Sequence, residues 1–209
     1  MEFKAKASFI SGISEVYITY PIDYVKNIRQ SNNSITLFFN NPFRGVSARL
    51  IGVVPMRMFF WNSFYYAHTH NYSHFQTAAL VSSVETILSY PIEQITVQKM
   101  IYNSPYSKCF NKSTLLPGFT TALFRNFGFA YIVNSWISEK DSTFIDSAIG
   151  GMLAASLTQP LDTLKTHYHT TNSYKLPSYT LRRWYTGTFH RSLNCLLSMS
   201  VGWAVFSYF

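Results

Sequence analysis

Apolar residues gather into six long stretches along the chain, and polar segments separate them. Each stretch has about the 20 residues that a helix needs to cross a bilayer, and each also carries polar positions. Because a lone lipid-exposed helix could not carry so many polar groups, we expect the helices to line a shared water-filled cavity. The predicted fold is an all-α membrane protein with six transmembrane helices around a central cavity. The helices are expected at approximately residues 8–28, 47–66, 77–99, 118–138, 144–167 and 187–209.

One unit of about 70 residues occurs three times. Prolines 70 and 69 positions apart align the copies, an acid follows each proline by two residues, and a base or Thr96 follows by five. We therefore predict one domain over residues 1–209, built from pseudo-threefold repeats of approximately 1–70, 71–139 and 140–209. The aligned residues are Pro21, Asp23 and Lys26, then Pro91, Glu93 and Thr96, then Pro160, Asp162 and Lys165.

Each part of the repeated unit has a structural effect that its residue types predict. Small residues four apart, such as Ser8 and Gly12, let two helices approach closely. A proline inside a helix removes a backbone hydrogen bond and kinks it, so we expect kinks at the three prolines. An acid and a base three residues apart lie on one helix face. Threefold symmetry would bring these faces together as a ring of ion pairs at one mouth of the cavity.

The three motifs resemble the signature of the mitochondrial carrier family. They read Tyr-Pro-Ile-Asp-Tyr-Val-Lys from residue 20, Tyr-Pro-Ile-Glu-Gln-Ile-Thr from 90 and Gln-Pro-Leu-Asp-Thr-Leu-Lys from 159. Gln30 falls where the family has its signature glutamine. The resemblance implies a multi-pass carrier of the mitochondrial inner membrane, with one central solute site and alternating access between two gates.

By this resemblance, each acid would pair with the base of the next repeat in a matrix-side gate. Glu93 would pair with Lys165 and Asp162 with Lys26, whereas Asp23 would find only Thr96. Two ion pairs would therefore remain of three. The opposite gate lacks its acids, so we expect aromatic packing there. The short intervals after the prolines, including residues 31–41, predict truncated or missing matrix helices.

Arginines inside the predicted helices are the candidate ligand-binding groups. Charges within a span are expensive and usually mark function. We interpret Arg49 and Arg191 as helix-end residues that reach lipid headgroups, and Arg125 as a residue that faces the cavity. By resemblance, the Arg125-Asn126 pair occupies a family contact point that is typical of oxo-acid and di- or tricarboxylate carriers. The predicted substrate-binding set is Arg125, Asn126, Gly52, Asn194 and Arg57.

The predicted function is the movement of a small anionic metabolite, an oxo acid or a di- or tricarboxylate, across the inner membrane. Two alternatives stay open: a nucleotide carrier, and a carrier-derived membrane scaffold without transport. Glu15 and Glu85 both lie six residues before a proline, and either could couple a proton to transport. We expect a monomer whose partners are the solute and the lipid bilayer, with cardiolipin as a candidate lipid.

The composition of the chain excludes several further classes of protein and partner. Charged residues make up only 12% of the chain although the net charge is +8, so we expect no nucleic-acid partner. Two cysteines exclude a disulfide framework. No catalytic constellation is visible, so we expect neither an enzyme nor a cofactor. The histidines at 68, 70, 74, 167 and 169 lack the further ligands of a tetrahedral set, and we expect no metal.

Overall fold

Helices account for nearly all of the chain that the computed structural model describes, which is residues 2–30, 39, 41–102, 105, 115–137, 144–171, 177–178 and 180–208. We number the helices in chain order. Their bounds are Glu2–Gln30 (α1), Val46–Thr69 (α2), His74–Tyr102 (α3), Leu115–Ile137 (α4), Phe144–Leu157 (α5), Gln159–Thr171 (α6), Leu181–Trp184 (α7) and Thr188–Tyr208 (α8).

The long helices pack side by side in a closed ring. Each helix contacts the next in the order α1, α2, α3, α4, α5 and α8, and α8 returns to α1. Helix α6 continues the course of α5 and contacts α3 and α4 as well. A ring of this kind leaves space on its axis, which places side chains from every repeat within reach of one another.

Within the described residues, no helix is both long enough and apolar enough to cross a membrane. The prediction of six transmembrane helices is therefore wrong, as are the membrane-transport class and the mitochondrial inner membrane location that rested on it. The reason is that polar residues recur along every stretch, and the mean hydropathy of the chain is only +0.03. Helix α5 is also short, since it ends after 14 residues.

The three prolines differ in whether the helix around them is continuous. Helices α1 and α3 continue through Pro21 and Pro91, whereas the third repeat breaks at Thr158, just before Pro160. The Thr158 hydroxyl donates to the carbonyl of Ala154 at 2.7 Å, which satisfies one of the acceptors at the end of α5. The prediction for residues 31–41 falls mainly outside the described residues.

The side chain before each proline reaches the turn that starts the next ring helix. The Tyr20 hydroxyl donates to the carbonyl of Arg44. In the third repeat, Gln159 Nε2 donates to the carbonyl of Thr186 at 2.8 Å. These bonds tie the proline-containing segment of a repeat to the beginning of its second helix, so both helices hold a fixed register.

Glycines make these turns possible. Gly45 and Gly187 have φ angles of +86° and +87°, a left-handed conformation that other residues adopt at a cost. In the second repeat, a Cβ atom on Gly118 would lie 1.9 Å from the Tyr90 hydroxyl oxygen. The repeat therefore requires glycine either for its backbone angle or for the space that the pre-proline side chain fills.

An apolar cluster joins five of the ring helices at a level away from the proline segments. The rings of Phe60 and Trp61 meet edge to face, with centroids 5.6 Å apart and planes at 84°. Gly202 of α8 lets this packing occur, because a Cβ there would lie 2.5 Å from Trp61 Cζ2. The members of the apolar cluster are Phe60, Trp61, Val81, Val133, Ala154 and Met199.

The substitution Gly202→Ala tests whether the apolar cluster is tightly packed. Alanine is the better helix former by about 1 kcal/mol, yet we expect a net loss of about 1–3 kcal/mol in the free energy of unfolding because the new methyl overlaps the indole. In a Trp61→Leu background the same substitution should cost at least about 0.5 kcal/mol less. Urea denaturation of the four proteins measures both quantities, and equal costs in the two backgrounds would refute the contact.

Candidate functional site

A cavity lies inside the ring, between the proline segments and the apolar cluster. Its volume is about 1060 Å³, and this figure includes space that is open to solvent. Helices α1, α2, α3, α4, α6 and α8 all contribute to its wall. Many of the contributing side chains are charged, so the chemistry of the cavity depends on how those charges are paired.

Asp162 accepts hydrogen bonds from two neighbouring helices, α1 and α4. Its side chain is 1% exposed, and Oδ2 lies 3.1 Å from both Lys26 Nζ and Gln30 Nε2. Arg125 Nη1 donates to Oδ1 at 3.1 Å. Burial would raise the pKa of this carboxyl, but Lys26, Arg191, Lys165 and Arg125 outweigh it and hold the pKa well below the usual aspartate range. Asp162 is thus a buried anion whose charge the surrounding donors stabilise.

Glu93 receives the second group of donors. Lys165 Nζ lies 2.9 Å from Oε2, and Arg125 Nη2 lies 3.2 Å from Oε1. Arg125 therefore connects Glu93 with Asp162. Burial would raise the pKa of Glu93, but Arg125 and Lys165 outweigh this effect and lower it. The structure brings together Glu93 with Lys165 and Asp162 with Lys26, the two pairs that the resemblance to the carrier signature implied.

Asp23 has a partner that the motif did not indicate. Arg49 Nη2 donates to Asp23 Oδ2, and Lys26 Nζ lies 3.6 Å from Oδ1. Thr96, the expected partner, donates its hydroxyl to the carbonyl of Ile92 at 2.8 Å. The cation missing at position 96 is thus supplied by α2. The interpretation of Arg49 as a helix-end residue that reaches lipid headgroups does not fit this contact.

Arg191 is also part of the interior. It is 7% exposed, and its Nη1 and Nη2 donate to the Ala155 carbonyl at 2.9 Å and to the Thr158 hydroxyl at 2.7 Å. Its Nε lies 4.0 Å from Asp162 Oδ2. The break between α5 and α6 therefore offers acceptors to a buried guanidinium. We call the whole set the ionic cluster: Asp23, Lys26, Arg49, Glu93, Arg125, Asp162, Lys165 and Arg191.

The ionic cluster contains five basic groups and three carboxylates, and all eight line the cavity. Burial and this excess of positive charge both act on the pKa of Lys165. Burial, followed by repulsion from Arg125, lowers the pKa of Lys165 to about 8 although Glu93 and Asp162 favour its charged form. The ionic cluster therefore carries more positive charge than its own carboxylates neutralise.

A second charged group lies towards the apolar cluster. Arg57 donates to Glu15 Oε1 through Nε at 2.8 Å and through Nη2 at 2.6 Å, and Ser198 donates to the same oxygen at 2.7 Å. Glu85 lines the cavity nearby, and it makes no ion pair with any described residue. Burial raises the pKa of Glu85 more strongly than Arg57 and Arg125 lower it.

The residues predicted to contact a substrate all line this cavity, but they do not play equal parts. Arg125 belongs to the ionic cluster and also donates to Asn126 Oδ1 at 2.9 Å. Asn126 Nδ2 in turn donates to the Thr86 hydroxyl at 3.0 Å. Gly52 gives room to the neighbouring helix, since a Cβ there would lie 2.6 Å from Ile92 Cγ2. Asn194 is buried and faces the cavity.

Arg49 and Arg191, which the sequence analysis placed at lipid headgroups, share a sequence feature that indicates their interior positions. Arg49 and Arg191 each follow the turn glycine of their repeat by four residues, and each donates its backbone N–H to that glycine's carbonyl. Aligning the repeats on Gly45 and Gly187, in addition to the prolines, would have assigned both arginines to equivalent interior positions.

Histidine and cysteine do not form a metal site in the part of the chain that the structure describes, where no three candidate ligands lie together. His70 and His74 are exposed, and His169 is fully buried against the ring of Tyr90 at a centroid distance of 5.1 Å. Cys195 lines the cavity as a free thiol.

No family model matches the sequence, and no curated protein is significantly similar to it. The resemblance to the mitochondrial carrier signature therefore stands on the repeated motifs alone. What the cavity does has to be argued from its own side chains.

The substitution Arg49→Met tests the role of this arginine as the partner of Asp23. We expect a loss of about 1–3 kcal/mol in the free energy of unfolding, because a buried carboxylate loses its closest cation. A quarter of the Arg49 side chain is exposed, which keeps the loss below that of a fully buried pair. Urea denaturation provides the measurement, and Arg29→Met, at an exposed position on α1, is the matched control.

A second substitution separates charge from packing. Lys26 and Lys165 occupy the repeat position of Thr96, so Thr96→Lys should return a cation to the neighbourhood of Asp23. We expect the double variant to regain part of the stability that Arg49→Met loses. If Arg29→Met costs as much as Arg49→Met, the ion pair contributes nothing specific.

Proposed function

We propose that this chain binds a small anionic metabolite in the central cavity, with a carboxylate group held by the ionic cluster. The observation that carries the proposal is the imbalance of five basic groups, four of them buried and Arg49 half-buried, against the three carboxylates of the ionic cluster. Buried charge without a counter-charge is unfavourable, and a ligand carboxylate would relieve it. Guanidinium groups suit this role because they bind carboxylates through two parallel hydrogen bonds.

Ligand binding would also change how the helices are joined. Arg125 already bonds to Asn126, Glu93 and Asp162, and Lys165 already bonds to Glu93. An incoming carboxylate must compete with these internal carboxylates for the same donors. Binding is therefore coupled to loosening of the links between α3, α4 and α6, and a ligand favours whichever arrangement it contacts best. An oxo acid or a di- or tricarboxylate has the charge to compete.

The first test is a binding panel of oxo acids, dicarboxylates, tricarboxylates and nucleotides, measured by titration calorimetry on the purified full-length chain. We expect carboxylates to bind saturably, and Arg125→Met to weaken them by at least about tenfold because it removes a bidentate donor. Arg182→Met, an exposed position on α7, is the matched control and should leave the affinity unchanged.

Thermal unfolding shows whether each variant is folded, and Arg125→Lys separates loss of charge from loss of geometry. If nucleotides bind and carboxylates do not, the ligand class is nucleotides instead of the proposed carboxylates. Folded protein that binds nothing in the panel would refute anion binding and favour a scaffold without a solute.

The pH dependence of binding gives a further prediction. Because the pKa of Lys165 is lowered to about 8, the empty protein loses this positive charge as the pH rises through that value. A bound anion favours protonated Lys165, so affinity for a fully ionised dicarboxylate should fall between pH 7 and pH 10. The fall is about tenfold for each unit by which the anion raises that pKa. Lys165→Arg should flatten the profile, and an unchanged slope in this variant would assign the proton elsewhere.

A further inference from the structure

Two carboxylates of the cavity wall have unused hydrogen-bonding capacity. Glu15 is 4% exposed, and its Oε2 atom accepts no hydrogen bond, since Arg57 and Ser198 both bond to Oε1. Glu85 makes neither an ion pair nor a hydrogen bond with any described residue. Glu85 is half-buried, whereas Glu15 Oε2 is a buried carboxylate oxygen, and such an atom without a partner is costly unless something else in the cavity donates to it.

The repeat places these two acids at one level of the ring. Each lies six residues before the proline of its repeat, Glu15 on α1 and Glu85 on α3. Arg57 is the cation of this level among the described lining residues. We call the three residues the acidic level, because two carboxyl groups face one guanidinium. With both acids ionised, its net charge is negative.

The cavity therefore has two poles of opposite sign. Eight residues separate Glu15 from Asp23 along α1 and Glu85 from Glu93 along α3, which is about 12 Å along a helix axis. The ionic cluster at one end carries a positive excess, and the acidic level carries a negative one. Because side chains reach into the intervening space, a ligand with opposite charges several bonds apart would complement both poles.

We propose that the cavity binds a zwitterionic solute, with its carboxylate at the ionic cluster and an ammonium group between Glu15 and Glu85. This inference rests on the proposed function for the anionic end. It narrows the ligand from carboxylates in general to carboxylates that also carry an amine on an extended chain. The ammonium group would donate to Glu15 Oε2 and to Glu85, the two acceptors that the protein leaves unused.

The environment of Glu85 is consistent with such a ligand. Burial raises the pKa of this carboxyl in the empty cavity, which means that its charge is poorly compensated there. An ammonium group would supply the compensation and lower that pKa. Binding of the amine should then release a proton from Glu85 at mildly acidic pH.

Three linear acids with six carbon atoms test the proposal, because they differ at one end only. Aminocaproate carries an ammonium group there, caproate a methyl group and adipate a second carboxylate. Titration calorimetry on the full-length chain should show aminocaproate binding more tightly than either of the others by at least about tenfold. Glu85→Gln, which keeps the shape of the side chain, should remove that preference and change caproate affinity by less than about twofold.

A second readout uses the unaltered protein. Aminocaproate binding should release more protons than adipate binding, which is measured from calorimetry in buffers of different ionisation enthalpy. Equal affinities for the three acids, or a preference that persists in Glu85→Gln with equal proton release, would overturn the zwitterion proposal and leave anion binding intact. If none of the three acids binds, and the carboxylates of the earlier panel also fail, both proposals are wrong.

Discussion

The buried carboxylate of Asp162 is the interaction on which the arrangement of the helices depends. Donors from α1, α4 and α6 lie within 3.7 Å of it, and Arg191 of α8 lies at 4.0 Å. A charge this deeply buried is tolerated only with such donors, and removing one member of a buried pair costs about 3–5 kcal/mol. Distant parts of the chain are therefore held together by one anion, 1% exposed, in the third repeat.

The composition of the ionic cluster agrees better with the proposed anion binding than with a purely stabilising role. If stability were its only role, equal numbers of acids and bases would serve better, since each unmatched buried charge is unfavourable. Instead the cations outnumber the carboxylates, and Lys165 holds its proton less firmly than an ordinary lysine. An excess that costs stability, around a cavity, is typical of a site that completes its charge balance with a ligand.

The sequence was sufficient for the helical composition, and the resemblance of its three proline motifs to the carrier signature implied the Glu93–Lys165 and Asp162–Lys26 pairs, which the structure contains. Membrane spans were predicted wrongly, since long apolar stretches were given more weight than the polar residues that recur within them. Arg49 was missed because it lies on the second helix of its repeat, outside the proline motif that contains the residues of the other pairs. The break at Thr158 also escaped prediction, because Pro21 and Pro91 occupy equivalent positions within continuous helices.

Apolar contacts border the cavity on one side and ionic contacts on the other, and the two would respond differently to a ligand. The apolar cluster of α2, α3, α4, α5 and α8 has no group that an ion could compete for, so its contacts persist when a charged solute enters. The ionic cluster consists of contacts that an anion can replace one for one. In the proposed binding mode, a ligand would therefore replace ionic contacts and leave those of the apolar cluster in place. Helices α2, α3, α4, α5 and α8 would then stay joined at the apolar cluster, while α1 and α3 would stay joined at their proline-containing ends, because a second apolar cluster packs them together there: Tyr20, Tyr24, Ile28, Val97, Met100 and Ile101.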